Sequence, residues 1–496
     1  VEVYEPRFTY HGFRYVQVEG FPGEPSMLSL EARVVHTAVE RTGQFCSSNQ
    51  LLQKIHENTI WGQVSNLHSM PTDCPQRDER QGWMGDGHLT VEEAIYNFDM
   101  AAFYTKWLED MKDAQAEDGS VPDCVPYHDY GCEVGTPAWQ VAYPLTVWYM
   151  YKHFGDTRVL GEHYDALTRW LDYMDDLAND HIVEAGRGDW VPPKRTKPEN
   201  EEEIYLTSTA YYYRCAQILA DAARILGRQE DAGRYDVLAA NIREAFNRRF
   251  FDVTGGRYEP HSQASQAFPL YFGLAPEQNE ESVLDALVTD IVETRDGHLW
   301  TGILGTKALV KVLPRRGRAG VMYTVATQES FPGWGYMLAH GATTLWERWG
   351  GYRHFDAGMN SLNHIMFGSV EEFFYRDLAG IAPAGPGYEK VRIRPRVVEG
   401  LTDAGAAVRT SRGEVRSGWQ KVGGALHMEV SIPPNTTAEI WAPKQGREEV
   451  AINVNGHPVW DEKSFHEGAD GIISATQEGD YVKLEAGSGR YCLVMK

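Results

Sequence analysis

The strongest constraint on this chain is a change of hydrophobic period near residue 382. Before it, apolar residues recur at the three- and four-residue spacing of amphipathic helices; after it, they alternate. A stripe spaced for a helix cannot serve as one face of a strand, so the chain must build a helical body first and a sheet body second. Leu160, Tyr164, Leu167, Leu171 and Met174 form one clean helical stripe. Ser47, Ser48 and Asn49 offer caps ahead of Leu51, Ile55, Ile60, Val64 and Leu67, and Val91, Ile95, Phe98 and Ala102 mark a second stripe. A helix over 209–226 stops at Gly227, a suitable C′ glycine. Tyr235, Leu238, Ile242 and Phe246 follow, then Val283, Leu284, Leu287 and Ile291, a helix around 304–313 and a last one over 361–378. About eleven or twelve helices pair into six hairpins, and six hairpins can close into an (α/α)6 barrel with long loops at one end. Periodicity predicts the helices; closure does not follow from it.

After Ala382-Pro383-Ala384-Gly385-Pro386-Gly387 the pattern alternates in Val391-Arg392-Ile393-Arg394, Met428-Glu429-Val430-Ser431-Ile432 and Tyr481-Val482-Lys483-Leu484. Turn residues at Asn435-Thr436, Asn455-Gly456 and Glu478-Gly479 separate such runs, which predicts a C-terminal antiparallel β-sandwich. The first 40 residues also read as extended. Phe8, Tyr10, Phe13 and Tyr15 cluster, Gly20-Phe21-Pro22-Gly23 is a turn, and 28–39 is β-branched and alternating. Two or three strands hold no core alone, so this stretch is expected to be the remnant of an N-terminal β-domain. The expected division is 1–40, 41–381 and 382–496, in a mainly α protein.

Charge narrows the partners. Lys and Arg number 47 against 70 Asp and Glu, a net charge of −23, and no long basic block occurs. A nucleic-acid or anionic-membrane partner needs the opposite balance. No apolar run is long enough to span a bilayer. The six cysteines (Cys46, Cys74, Cys124, Cys132, Cys215, Cys492) contain no C-x-x-C pair, so they are expected to be reduced and structural. That favours a cytoplasmic setting, although a chain opening on Val1 leaves a removed leader open. The 14 Trp and 26 Tyr either pack a large core or supply flat walls for sugar rings.

The densest polar stretch is Asp73-Cys74-Pro75-Gln76-Arg77-Asp78-Glu79-Arg80-Gln81-Gly82-Trp83-Met84-Gly85-Asp86. Pro75, Gly82 and Gly85 make it a loop. Carboxylates crowded in a cleft raise the proton affinity of at least one of them, the setting of a general acid. A buried salt-bridged loop would have the same composition. The second candidate is Glu347, flanked by Trp346 and Trp349 after the Gly-rich, aromatic 331–336; a Glu-Arg neighbour pair is also an ordinary surface ion pair. Gly188-Asp189-Trp190, Trp139 and His364 are weaker candidates, and a histidine beside Leu362 and Met366 is ordinarily a packing residue.

These residues carry a resemblance. Met70-Pro71-Thr72-Asp73-Cys74-Pro75-Gln76-Arg77-Asp78-Glu79-Arg80 with Gly82-Trp83 and Gly85-Asp86 resembles the bacterial α-L-rhamnosidases of glycoside hydrolase family 78. So do Phe8-Thr9-Tyr10-His11-Gly12-Phe13-Arg14-Tyr15-Val16, Asn363-His364-Ile365-Met366-Phe367-Gly368-Ser369-Val370 and Leu378-Ala379-Gly380-Ile381, so that the likeness covers essentially the whole chain. It implies an (α/α)6 catalytic barrel flanked by β-sandwiches. It implies Glu79 as general acid and Glu347 as general base of an inverting hydrolysis, which requires carboxyl groups about 6.5–9.5 Å apart. It places Asp73, Arg77, Trp83, Asp86, Trp139, Trp190 and His364 around a terminal rhamnose, with no metal or organic cofactor. Family members usually carry β-domains ahead of this segment, some with a calcium-dependent sugar-binding module, and residues 1–40 resemble only the last strands of one.

The expected function is therefore exo-acting release of α-L-rhamnose from rhamnosylated glycosides or oligosaccharides, with a homodimer as one assembly open to it. Two rivals stand beside it. One is another (α/α)6 glycosidase, acting on a different deoxy sugar or a rhamnose-containing polysaccharide. The other is a silent carbohydrate-binding relative, against which the presence of both Glu79 and Glu347 argues.

Overall fold

A computed structural model of the chain describes residues 2–128, 136–193, 201–353, 360–461 and 463–496. The described residues divide as the period does. Helix follows helix from Gln50–Ser65 to Trp334–Ala339, and strands dominate from Ile381 onward. Several predicted signals act as expected. Asn49 caps the first helix by accepting the Leu51 amide at 2.9 Å. In Thr157–Leu177, Leu160, Tyr164, Leu167, Leu171 and Met174 all face the core. Gly227, just past Glu201–Ile225, takes the left-handed conformation that ends such a helix.

Two helical expectations are corrected. Phe98 is extended rather than helical, so the second stripe splits into Met84–Asn97 and Ala101–Asp113, with Phe98 buried at the corner. The segment over 361–378 winds as a tight turn, Met366–Val370, and then a wide one, Phe373–Leu378. Its backbone bends around buried charges. Glu372 meets Lys307 and Lys311 there, Lys311 also meets Glu92, Arg376 bonds Asp377 at 2.5 Å, and Lys307 donates to the Leu89 carbonyl at 2.9 Å. These groups are almost wholly removed from water, so each charge depends on its partners. They tie Met84–Asn97 and Ile303–Arg315 to the 366–378 segment beneath the loops that carry the polar cluster.

The strands form two larger sheets, one of eight strands and one of five. Along Ala425–Ile432 the residues Leu426, Met428, Val430 and Ile432 face inward in strict alternation. Asn455 and Gly456, both with positive φ, make the two-residue turn between Ala451–Val454 and His457–Asp461. The sheets are not purely antiparallel: Thr437–Pro443 runs parallel to Lys390–Ile393, whose other edge pairs antiparallel with the preceding strand, Ile381–Pro383. An early strand joins the late ones as well. Gly43–Ser47, ahead of the first helix, pairs with Asp403–Thr410 at the edge of the eight-stranded sheet. Trp419 and Ser417 of that sheet donate to the carbonyls of Leu378 (2.8 Å) and Ala379 (2.6 Å), which fastens it to the helical region.

The expected strands before residue 40 are absent among the described residues, and Phe8, Phe13, Tyr15, Leu28 and Val34 lie exposed. A strand exists only through a neighbour's hydrogen bonds, and no ladder among the described residues includes this stretch. The cysteines also need correction. Cys46, Cys74, Cys215 and Cys492 are free, but Cys124 is disulfide-bonded; Cys132 lies outside the described residues. No helix of the described residues is long and apolar enough to cross a membrane.

Candidate active site

The loop 73–83 is held open by main-chain bonds at both ends. The Asp73 amide donates to the Gln81 carbonyl (2.9 Å), Val125 to Gly82 (2.8 Å) and Met84 to Asp123 (2.8 Å). Its side chains can therefore converge instead of collapsing on one another. Arg77 is their centre. Its Nη2 lies 2.7 Å from Glu79 Oε2 and 3.1 Å from Asp73 Oδ2, its Nη1 lies 3.1 Å from Glu347 Oε2, and its Nε donates to Cys74 Sγ at 3.2 Å. One guanidinium thus joins two carboxylates from positions 268 residues apart. Oxygens bonded to its two terminal nitrogens are at most about 8 Å apart.

Arg77, Glu79, Trp83, Asp86, Trp139, Trp190, Glu347 and His364 line one cavity of about 100 Å³. Larger hollows exist among the described residues, such as those of about 580, 490 and 280 Å³, and these three each gather fewer carboxylates. Trp83 Nε1 donates to Glu79 Oε1 at 2.9 Å, which fixes that carboxyl from the side opposite Arg77. Trp139 lies flat against Gly85: a Cβ there would stand 2.4 Å from the indole, so only glycine lets the ring close the wall. Trp190 is placed by the start of Ile303–Arg315, whose Ile303 amide donates to the Trp190 carbonyl at 2.9 Å. Next to it, Asp189 accepts from the amides of Gly302 (2.7 Å) and Gly305 (2.9 Å) as the cap of that helix, a structural task rather than a place on the wall.

Other expected residues fall differently. Asp73 lies beneath Arg77 rather than on the wall, its Oδ1 taken by the Gln81 amide at 2.7 Å. Asp78 points to solvent. Trp346 and Trp349 do not flank a ring site; both are buried, and Trp349 donates to the Thr301 carbonyl at 3.0 Å. Glu347 is no surface ion pair, since it accepts the Ser361 amide at 2.7 Å besides Arg77, while Arg348 donates to Asn360. Sequence reasoning missed Arg187 and Met366, which also line the cavity. Arg187 stacks over Trp83 and Trp139, 5.6 and 5.9 Å from their ring centres, and pairs with buried Asp123 at 3.2 Å. It stands immediately before Gly188-Asp189-Trp190, the stretch singled out in the sequence; Met366 carried no signal apart from ordinary packing.

Burial governs the electrostatics. It pushes Asp73 up to about 6, with the Glu79 charge adding to the effect. Asp86 is pushed well above the carboxylate range by burial, then by Asp73 and Glu347, and its Oδ1 has no hydrogen-bond partner. Glu347 is raised by burial, against the pull of the Ser361 amide and Arg77. His364 is pushed well below the ordinary imidazole value by burial and Arg77, so it is neutral; its Nε2 lies 3.7 Å from Asp86 and 3.8 Å from Asp73. Asp73, Asp86 and Glu347 thus each hold a proton to higher pH than an isolated carboxyl would. Asp73, Cys74 and His364 also bring three possible metal ligands within 4.8 Å of one another, but Arg77 already bonds Asp73 and Cys74, and burial holds the thiol protonated up to about 12.

Comparison with known proteins gives a consistent result. Residues 40–378 match the family model of the bacterial alpha-L-rhamnosidase 6 hairpin glycosidase domain, 380–456 that of the bacterial alpha-L-rhamnosidase C-terminal domain, and 1–36 that of the concanavalin-like domain. An alpha-L-rhamnosidase of Streptomyces avermitilis is 39% identical over 449 residues, 89% of this chain and 42% of that protein. One of Formosa agariphila is 34% identical over 457 residues, 90% of this chain and 49% of its own. The chain spans about half the length of the curated relatives it matches. Among solved structures, the alpha-L-rhamnosidase from Dictyoglumus thermophilum superposes with a TM-score of 0.92 at 42% identity, covering 99% of this chain and 55% of the other. The Streptomyces avermitilis alpha-L-rhamnosidase complexed with L-rhamnose superposes with a TM-score of 0.90 at 36% identity, covering 99% and 46%.

Proposed function

The chain belongs to the bacterial α-L-rhamnosidase family, and on that premise we propose that it hydrolyses terminal non-reducing α-L-rhamnose from glycosides or oligosaccharides with inversion at C1. The observation that carries the proposal is Arg77, whose guanidinium bonds both Glu79 and Glu347 at one sugar-sized hollow. In the proposed reaction Glu79 protonates the departing glycosidic oxygen. Glu347 takes a proton from water, whose oxygen attacks C1 from the opposite face. The upper bound on their separation, about 8 Å, is compatible with the 6.5–9.5 Å that leaves room for that water. Asp86, Arg77 and neutral His364 would bind ring hydroxyls, with Asp73 holding Arg77 from below. Trp83, Trp139 and Trp190 supply apolar faces for the C5 methyl of a 6-deoxy sugar. The helical hairpins are proposed to close as an (α/α)6 barrel and the two sheets to form a β-sandwich, with units at about 41–381 and 382–496 behind the 1–40 stretch.

Aryl α-L-rhamnoside should release its chromophore while aryl glycosides of other sugars do not. Proton NMR at early times should find the β-anomer of rhamnose first, and α-anomer first would overturn inversion. Glu79→Gln should lower kcat by about 10²–10⁴-fold. Undiminished turnover would remove the acid assignment.

A further inference from the structure

The motif around Phe8–Val16 takes no part in the reaction proposed above, yet one of its residues is not left in solvent. Between residues 2 and 35, Tyr10 alone is not exposed among the described residues, and what covers it is the catalytic loop. The Arg80 guanidinium lies over the Tyr10 ring, 4.7 Å from its centre, and Nη1 donates to the Tyr10 carbonyl at 3.3 Å. His68 also stacks on the Tyr10 ring, at 4.4 Å with 14° between planes. Held this way, Arg80 turns its Nε onto the carbonyl of Arg77 at 2.7 Å. Arg80 itself sits at φ 52°, a left-handed conformation that a residue with a Cβ keeps only when its surroundings hold it there. Two residues further along the segment, Gly12 abuts the same loop: a Cβ on it would stand 3.2 Å from Gln76 Cβ. Gln76 Nε2 donates to Ser361 Oγ at 2.7 Å, and the Ser361 amide is the one that binds Glu347. The segment therefore touches the loop on both sides of Arg77-Asp78-Glu79, and each touch leads by one or two hydrogen bonds to a catalytic carboxylate.

We propose that Tyr10 is a positioning residue for the hydrolysis: by clamping Arg80 it fixes the Arg77 main chain and so aims the Arg77 guanidinium between Glu79 and Glu347. The proposal rests on the hydrolase reading for its kinetic consequence, and on geometry alone for the placement of Arg77. With the clamp gone, Arg77 wanders, and Glu347 loses part of the positive charge that keeps it ionised. Arg77 and Glu79 face Glu347 from the loop, Asp86 from the helix Met84–Asn97, Arg348 from its own segment, and the Ser361 amide from the segment opposite. Removing the favourable cation raises the proton affinity of Glu347, so the acidic limb of the pH–rate profile moves to higher pH.

The test uses the full 496-residue chain and an aryl α-L-rhamnoside. Tyr10→Ala should lower kcat by about tenfold with KM nearly unchanged, as expected for a misaimed catalytic group, and move the acidic limb up by about half a pH unit. Tyr10→Phe should restore most of both, because it keeps the ring and the main-chain carbonyl and gives up only the hydroxyl's bond to Arg80. Phe13→Ala, on the same segment but in solvent, should match the parent. Arg80→Met cuts the contact from the other side; it should reproduce the loss, and it is read by the same criteria if Tyr10→Ala does not fold. A parent-like kcat and profile in Tyr10→Ala overturns the proposal. So does a kcat loss with an unmoved profile, which reports only a smaller folded fraction. A crystal structure of Tyr10→Ala reads the placement without turnover. Arg77 leaving Glu79 or Glu347 supports the clamp, and an unmoved Arg77 sinks it. A parent chain that cleaves no rhamnoside would instead overturn the hydrolase reading.

Discussion

Glu79 is held from two sides, by the Arg77 guanidinium and by the indole N–H of Trp83. Only the second bond can be removed without disturbing the charge balance. Trp83→Phe keeps an aromatic wall and deletes that one donor, so kcat on an aryl α-L-rhamnoside should fall by about tenfold while rhamnose affinity changes less. Equal losses in kcat and rhamnose binding would mean that Trp83 acts only as wall. Glu347 sets a second expectation. A base must be ionised, so activity is lost as pH falls through its folded pKa, and burial has raised that pKa. The acidic limb should therefore lie above the ordinary value for glutamate, about 4.3, and a limb below it would contradict Glu347 as the base. Residue types were legible in 73–86 and loop character over 73–83, but Met84, Gly85 and Asp86, expected in the loop, open the helix Met84–Asn97 instead. That Asp73 would go beneath Arg77, and that Trp346 and Trp349 would serve the core, was not legible, because a side chain's direction depends on what surrounds it.

At the scale of elements, the site is built where helix ends meet loops. Ile303–Arg315 begins against Asp189, and that junction carries Trp190 to the wall. Loss of water pushes Asp189 up to about 7, against three backbone amides that favour its charge. In the unfolded chain the same carboxyl titrates near its ordinary value of 3.8. The folded state thus holds a proton that the unfolded state gives up, and stability from this group falls as pH rises from about 4 to about 7. Asp189→Asn keeps an acceptor for the helix and removes the titration. Urea unfolding across that window should show a shallower loss of stability in the variant than in the parent. Identical slopes would place the Asp189 proton elsewhere. The glycine at 85 works at the same scale, since the close approach of Trp139 to the first turn of Met84–Asn97 depends on its missing side chain.

Across the whole molecule, the buried charges from three distant stretches tie the helical region together. Lys311 meets Glu92 and Glu372, with Arg376 also on Glu372. Burial pulls the Lys311 pKa down and the two carboxylates pull it back, so the ammonium depends on them as they do on it. Lys311→Met leaves two carboxylates short of a partner in a dry core. It should cost about 3–5 kcal/mol of stability, read as a lower urea midpoint. An unchanged midpoint would mean that the carboxylates find other cations or take up protons without penalty. The sheets belong to the same fabric. The Gly43–Ser47 pairing and the bonds from Trp419 and Ser417 to Leu378 and Ala379 bind the ends of the helical stretch to the later strands.

By itself the sequence determined the order of helical and sheet regions, the Asn49 cap, the helix end at Gly227, the Asn455-Gly456 turn and the loop that carries the polar cluster. These depend on neighbours a few residues away: a period, a cap, a turn that accepts positive φ. Tertiary structure alone decided that Glu79 and Glu347 would share one guanidinium, that Gly43–Ser47 would join a sheet some 360 residues later, and that the opening segment would touch the body at Tyr10. Those contacts are between residues that no local spacing relates. Their free energy appears only when packing removes water from both partners, so no pattern within either segment announces them.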